Sequence, residues 1–242
     1  DARARAVIEA AAQRADWQGW QQRQTRSATD ADVMRGHGLA WARYKNSGAW
    51  CAVIARVQVA QEVRVLKLDL AVDVGMAVDT DGIVNQIEGG AMQGLGLGLL
   101  ETVYPYYPSP DHRGSGYGSY FVPSMEELPE LECIILENPS ADGPFGAKAI
   151  GEMANNAQPP AIATAIYDAV GVWVTEMPIT PEKVLRALQA KAAGAPESGT
   201  GMTMSAAAGA TGAVGVAPKV KIRPVRVLGV AGVGTAYDIA QG

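Results

Sequence analysis

A carboxylate that directly follows a glycine-rich segment is a candidate for acid–base chemistry in this sequence. Glu152 comes immediately after residues 143–151 (GPFGAKAIG) and precedes an apolar stretch. Glycine-rich segments expose backbone N–H groups, which bind anions and the edges of heterocycles. If such a segment is buried, the following carboxylate is desolvated and its pKa rises, which suits a general base working near neutral pH. A lone glutamate after a loop is, however, more commonly a solvated surface residue.

A second glycine-rich stretch, residues 86–96 (QIEGGAMQGLG), contains Gln86, Gly89 and Gly90. The amide of Gln86 offers both a donor and an acceptor, as the edge of a pterin demands. Each glycine costs about 1 kcal/mol against alanine inside a helix, a cost explained if backbone must approach another backbone or a ligand closely. Neither stretch matches the phosphate-binding pattern GxxxxGK[ST] or the dinucleotide pattern GxGxxG. A phosphate-bearing or pterin-like ligand is the best match, with turns and close packing as the alternative.

The cysteines and histidines are too few and too scattered to hold a metal. Cys51 and Cys133 lie far apart in apolar stretches, and His37 and His112 are also distant from each other. Two isolated cysteines cannot hold an iron–sulfur cluster or a structural zinc ion. They are therefore predicted to be buried free thiols, and any redox metal must arrive inside a cofactor or on another chain.

Length and composition favour a globular protein. The chain has 242 residues, of which 48% are hydrophobic and 19% charged, and a net charge of −5. One large or two small domains fit this length, and the mixture excludes disordered, collagen-like and coiled-coil classes. The basic stripe typical of nucleic-acid binders is absent. No apolar run is long enough for a membrane span, and no signal peptide is expected at the start of the chain.

Periodicity predicts an α+β fold in which mixed and antiparallel sheets pack with helices. Helices are predicted at 3–16, 158–170 and 180–193, and strands at 36–46, 50–59, 62–74 and 131–137. The second and third strands are joined by about two residues, which requires antiparallel pairing. Residues 17–34 and 104–120 are predicted to be loops, and residues 75–85 a turn region. An Ala/Gly-rich linker is expected at 194–217, followed by a tail at 218–242 with one possible strand.

Four ordered segments carry a resemblance to a known family. GPFGAKAIGE with PPAIATAIYDAVG resembles the C-terminal signature of the molybdenum-binding subunit of the xanthine dehydrogenase/aldehyde oxidase family. NQIEGGAMQGLGLGLLE resembles a cofactor-binding segment of that subunit, and MPITPEKVLRAL resembles its closing helix. The opening RARAVIEAAAQRADW and GHGLAWARYKNSGAWCAVIARVQV resemble the preceding stretch. The resemblance spans residues 3–190 and is closest to the isoquinoline 1-oxidoreductase, nicotinate dehydrogenase and aldehyde dehydrogenase branch.

The resemblance implies a site and a reaction. Residues 1–193 would form the C-terminal part of a molybdopterin-binding domain, and Glu152 would be the catalytic base in hydroxylation of an aldehyde or N-heteroaromatic ring with water-derived oxygen. Gln86 would bind a molybdenum-pyranopterin, either molybdopterin or its cytosine dinucleotide. The other implied cofactor-binding residues are Gly89, Gly90, Gly146, Ala147, Lys148, Ala149, Ile150 and Gly151.

The resemblance also implies partners. The N-terminal part of the molybdenum subunit would lie on the same or a separate chain, a [2Fe–2S] cluster on a partner subunit, and FAD or haem c on another. Bacterial cytoplasm and periplasm are both compatible with such a complex. Lys148 could instead be a surface lysine that caps a carbonyl. The tyrosines of 104–120 would line a substrate funnel or belong to a surface loop.

One departure from the family pattern motivates a non-catalytic alternative: Met153 follows Glu152 where proline is common. A second departure, Asp79 and Thr80 in place of an Asn-Pro pair, bears on how the substrate fits. The alternative is a scaffold or assembly subunit that retains the fold without binding cofactor. The two hypotheses differ in metal content and in the effect of changing Gln86.

Overall fold

The computed structural model describes residues 1–23, 33–44, 48–102 and 120–194. Its helices are α1 (Ala2–Arg14), α2 (Trp17–Arg23), α3 (Thr80–Leu99), α4 (Gln158–Val170) and α5 (Pro181–Ala192), and its strands are β1 (Met34–Arg43), β2 (Trp50–Val59), β3 (Val63–Asp73) and β4 (Glu130–Leu136). Short 3-10 turns occur at Pro144–Gly146 and Met153–Asn155. The predicted linker and tail beyond Gly194, His112 and most of the 104–120 loop lie outside the described residues.

The four strands form one mixed sheet in the order β1-β2-β3-β4. The β1–β2 and β2–β3 pairs are antiparallel, and β4 pairs in parallel with β3. Only residues 60–62 separate β2 from β3, so the chain reverses in a tight hairpin, as predicted. The sheet and its helices confirm the predicted α+β class.

Both faces of the sheet are covered, which explains why β2 is apolar at nearly every position. Cys51, Val53 and Ala55 belong to the main core that α3 and α4 share with the sheet. Ala52 and Ile54 belong to a smaller core on the other face, beneath α1. Alternate side chains of a strand point to opposite faces, so a strand covered on both sides is apolar throughout.

The region predicted as a loop at 17–34 instead begins with α2. Trp17 is buried in the smaller core. The ring of Trp20 lies 3.9 Å from the ring of His37, measured between centroids, and Trp17 also stacks on His37. Residues three apart share one helix face, so both tryptophans face β1. Their packing stabilises α2, a helix that the polar composition of residues 17–34 did not suggest. His37 is buried, as expected of a structural histidine.

The turn predicted at 75–85 is wrong from Thr80 onward, because α3 begins there. Asp79 caps the helix by accepting a hydrogen bond from the Gly82 N–H at 3.1 Å. Two of the helical glycines lie where other parts of the chain come close: a Cβ at Gly90 would lie 2.8 Å from the Ala154 Cβ, and one at Gly94 would lie 2.9 Å from the Asn155 carbonyl oxygen. Close approach of backbone therefore accounts for these glycines.

Cys51 is buried, Cys133 is partly buried, and both are free thiols, as predicted. Desolvation raises the pKa of Cys51 to about 12 and that of Cys133 to about 11. Both thiols therefore stay protonated at neutral pH, and protonated thiols are poor nucleophiles and poor metal ligands.

Two other kinds of feature do not occur among the described residues. No helix there has the length and apolar character of a bilayer-spanning segment. In the same ranges, no group of three or more His, Cys, Asp or Glu side chains is placed to hold a metal ion.

Candidate active site

A cavity of about 330 Å³ lies between the first half of α3 and the segment 147–151. It brings together residues of the two glycine-rich stretches, which are separated by 46 residues in the sequence. Five of the residues implied as cofactor ligands line it: Gln86, Ala147, Lys148, Ile150 and Gly151. Ala149, between Lys148 and Ile150 in the sequence, is exposed.

Gln86 connects the two walls of this cavity. Its side-chain Nε2 donates a hydrogen bond of 2.6 Å to the carbonyl oxygen of Gly151. The amide is thereby oriented, and one of its N–H groups is used within the protein. Its carbonyl oxygen accepts no hydrogen bond from the described residues and so remains available as an acceptor.

Residues before the cavity segment hold it against the end of β3. Gly146 has a φ of 86°, and its carbonyl oxygen accepts hydrogen bonds from the N–H groups of Met76 (3.1 Å) and Ser140 (2.9 Å). Gly75, with a φ of 73°, lies so close that an added Cβ would be 2.2 Å from that oxygen. Both glycines are therefore needed for positive φ, and Gly75 also for close approach.

Lys148 is a buried structural cation, so its interpretation as a surface lysine is wrong. Its Nζ lies 2.6 Å from Asp73 Oδ2, and its backbone N–H donates to the Val74 carbonyl oxygen at 2.9 Å. The side chain points into the protein, where Asp73 compensates its buried charge. The Lys148 ammonium group is thus paired within the protein and is not offered to the cavity.

The hydrogen-bonding groups of the cavity segment fit a pyranopterin. In the described part of the chain, the backbone N–H groups of Ala149, Ile150 and Gly151 donate to no acceptor. An added Cβ at Gly151 would meet nothing within 4 Å, so there is space beside this backbone. Consecutive N–H donors together with the Gln86 amide provide the mixed donors and acceptors that a pterin edge and a phosphate require.

Glu152 follows this segment, and its side chain is exposed among the described residues. The burial that would desolvate its carboxylate is therefore not provided by these residues. Its Oε2 accepts a hydrogen bond of 2.5 Å from the hydroxyl of Tyr44. Tyr44 was missed at the sequence level, because a tyrosine at the end of a strand carries no pattern that points to a residue 108 positions away.

Four of the implied ligands do not line this cavity: Gly146 and Ala149, described above, and Gly89 and Gly90. Gly89 is exposed and borders a second cavity of about 430 Å³ between α3 and the start of β4. Gly90 is buried against Ala154. Met153, the residue that departs from the family pattern, is fully buried in the main core. It therefore anchors the chain directly after Glu152.

The fold and this cavity define a cofactor-binding domain, and comparison with known proteins specifies its type. Residues 42–129 match the family described as molybdopterin cofactor-binding domain. A nicotinate dehydrogenase subunit of Pseudomonas putida is 34% identical over 197 residues, which is 78% of this chain and 16% of that protein.

Two solved structures are also similar to this chain. The aldehyde oxidoreductase of Desulfovibrio desulfuricans is similar with a TM-score of 0.52 and 35% identity, covering 57% of this chain and 15% of that one. Quinoline 2-oxidoreductase of Pseudomonas putida is similar with a TM-score of 0.54 and 30% identity, covering 58% of this chain and 19% of that one.

The chain belongs to the xanthine oxidase family of molybdenum-binding oxidoreductase subunits. It spans less than a fifth of the length of each of these three relatives.

Proposed function

We propose that this chain is part of the catalytic subunit of a molybdenum hydroxylase that acts on an aldehyde or an N-heteroaromatic ring. The reaction converts a C–H bond and water into a C–OH group, two electrons and two protons. The observation that carries this proposal is the continuity of the site. The N–H groups of 149–151 donate to no acceptor among the described residues, Gln86 is hydrogen-bonded to Gly151, and the chain leads directly into Glu152. This arrangement supports cofactor binding by Gln86 and the segment 147–151, with Glu152 next in the chain.

Each residue has a distinct role in this proposal. Gln86 and the backbone of 147–151 hold the pyranopterin, and the Lys148–Asp73 ion pair fixes that backbone to the sheet. When bound, the cofactor supplies the electron-accepting centre for the two-electron oxidation. Glu152 accepts the proton of the water-derived nucleophile, the role of a general base. The position of Glu152 directly after the cavity segment supports this role.

The rest of the enzyme must come from elsewhere in the complex. We propose that residues 1–193 are the C-terminal part of the molybdopterin-binding domain and that the N-terminal part of the subunit covers the exposed Glu152. A [2Fe–2S] subunit would carry electrons away, since each such cluster needs four protein ligands and this chain has two cysteines. FAD or haem c on a further subunit would receive them.

The test is the composition and activity of the native complex purified through this chain. About one molybdenum and four irons per copy are expected, as for two [2Fe–2S] clusters. Glu152→Gln should retain molybdenum while turnover on aldehydes and N-heterocycles falls about 10²- to 10⁴-fold. Glu62→Gln, a change in the exposed β2–β3 hairpin, is the matched control and should leave turnover unchanged. Normal turnover of Glu152→Gln would exclude the base assignment, and a native complex without molybdenum would favour the scaffold alternative.

A further inference from the structure

We propose that Tyr44 is the positioning residue for Glu152. This inference rests on the proposed function, because it assigns Tyr44 a role through the base that the function requires. The Tyr44 hydroxyl donates to Glu152 Oε2 at 2.5 Å. That distance is typical of an O–H group that donates to an ionised carboxylate.

Tyr44 is attached firmly enough to act as a support. It follows the last residue of β1, and its backbone N–H donates to the Ala49 carbonyl oxygen at 3.2 Å. Its side chain is partly buried and packs against the main core. The phenol is therefore a fixed donor, held by the sheet and its core.

Glu152 depends on such a support because its own surroundings are open. The side chain is exposed, and Tyr44 provides the only hydrogen bond to its carboxylate among the described residues. Its neighbour Met153 is fully buried, so the backbone at this point is anchored, while in the described ranges the carboxylate itself is held by the phenol. A glutamate side chain held at one oxygen occupies fewer rotamers than a free one, so the phenol restricts where the Glu152 carboxylate can lie.

The contact also assigns different tasks to the two carboxylate oxygens. Oε2 is occupied by the phenol, which leaves Oε1 to accept the proton from the nucleophile. Precise placement of a base matters because proton transfer requires heavy atoms within about 2.6–3.2 Å of each other. Loss of the phenol should therefore impair the chemical step more than substrate binding.

A second tyrosine–glutamate pair provides a matched control. The Tyr120 hydroxyl donates to Glu101 at 2.7 Å, just beyond the C-terminal end of α3. Gln86 and the cavity lie near the N-terminal end of this 20-residue helix, which is about 30 Å long. Tyr120→Phe removes the same kind of hydrogen bond far from the candidate site.

The experiment compares Tyr44→Phe, Tyr120→Phe and Glu152→Gln in the cofactor-loaded complex that carries the full chain. Tyr44→Phe should lower kcat about 10- to 100-fold, as expected for a lost hydrogen bond to a charged group. KM should stay within about twofold and molybdenum content should not change, because the substrate and cofactor contacts remain. Tyr120→Phe should match the wild type in molybdenum content, and Glu62→Gln, the control in the exposed β2–β3 hairpin, should match it in all three quantities.

A second readout does not depend on activity. Infrared spectra of protein labelled with ¹³C-glutamate, taken as the wild type minus Glu152→Gln, isolate the carboxylate band of Glu152. That band should shift in Tyr44→Phe and stay in place in Tyr120→Phe. A merely structural role for Tyr44 would not move it.

The outcomes separate the two proposals. If Glu152→Gln abolishes turnover while Tyr44→Phe keeps wild-type kcat and an unshifted band, the positioning role is wrong and the proposed function stands. If Tyr44→Phe loses molybdenum, or raises KM without lowering kcat, Tyr44 has another role and the inference is also wrong. If Glu152→Gln itself retains turnover, the proposed function fails.

Discussion

The Nζ of Lys148 lies 2.6 Å from Oδ2 of Asp73, and 1% and 0% of the two side-chain surfaces are exposed. Asp73 is the last residue of β3, and its other oxygen accepts hydrogen bonds from the N–H groups of Gly75 and Asn138. One carboxylate thus joins the sheet, the turn after β3 and the cavity segment. The site segment is held by a buried electrostatic contact and not by apolar packing alone.

Lys148→Met should destabilise the chain by about 3–5 kcal/mol, because it leaves Asp73 as an uncompensated buried charge. The measurement is the free energy of unfolding by urea. Lys183→Met is the matched control: Lys183 lies 3.8 Å from the exposed Glu176, and such surface pairs contribute about 0–1 kcal/mol. The double variant Lys148→Met/Asp73→Asn should recover part of the loss. Equal effects of the two single lysine changes would contradict this account.

Gly89→Ala and Gly90→Ala should have opposite effects on stability although the two positions are adjacent in α3. Nothing lies within 4 Å of an added Cβ at Gly89, so alanine there should stabilise the helix by up to about 1 kcal/mol. At Gly90 the new Cβ would meet Ala154 at 2.8 Å, and such overpacking costs about 1–3 kcal/mol. Thermal unfolding of both variants tests this, and an equal gain in both would show that Ala154 yields freely.

Gln86→Ala should weaken cofactor retention about 2- to 10-fold, the effect of losing one hydrogen-bonding group. The measurement is molybdenum and pterin content of the native complex during dialysis. Gln93→Ala is the control, since Gln93 lies on the same helix and accepts a hydrogen bond from Asn155 outside the cavity. The scaffold alternative predicts no difference between the two variants beyond a small change in stability.

The stability of the wild type relative to Asp69→Asn should fall as pH rises above about 4. Burial raises the pKa of Asp69 in the folded protein, although Lys67 and Arg56 partly oppose the shift. Above its unfolded value of about 3.9, the folded state then binds more protons than the unfolded state, so stability decreases with increasing pH. Urea unfolding of both proteins between about pH 4 and pH 7 measures the difference. A wild-type advantage that grows with pH would show that the ion pairs dominate over burial.

Local patterns predicted most of the secondary structure. Helix α5 begins at Pro181, close to the start of the helix predicted at 180–193, and the Thr180 hydroxyl caps it by accepting a hydrogen bond from the Lys183 N–H. Strand β2 spans 50–59 as its apolar pattern predicted. The first turns of α3 were missed, because glycine and aspartate at 79–82 favour turns until a neighbouring element packs against the helix.

The sequence by itself determined the fold class, the hairpin, the two free thiols and, through family resemblance, Gln86 and Glu152 as site candidates. These follow from periodicity, short connections and motifs, all of which are local in the chain. Only the tertiary structure decided that Gly90 packs against Ala154, that Lys148 is buried on Asp73, and that Tyr44 contacts Glu152. Each of these contacts joins residues far apart in the chain, and no local pattern specifies such a partner because the packing of the whole sheet brings them together.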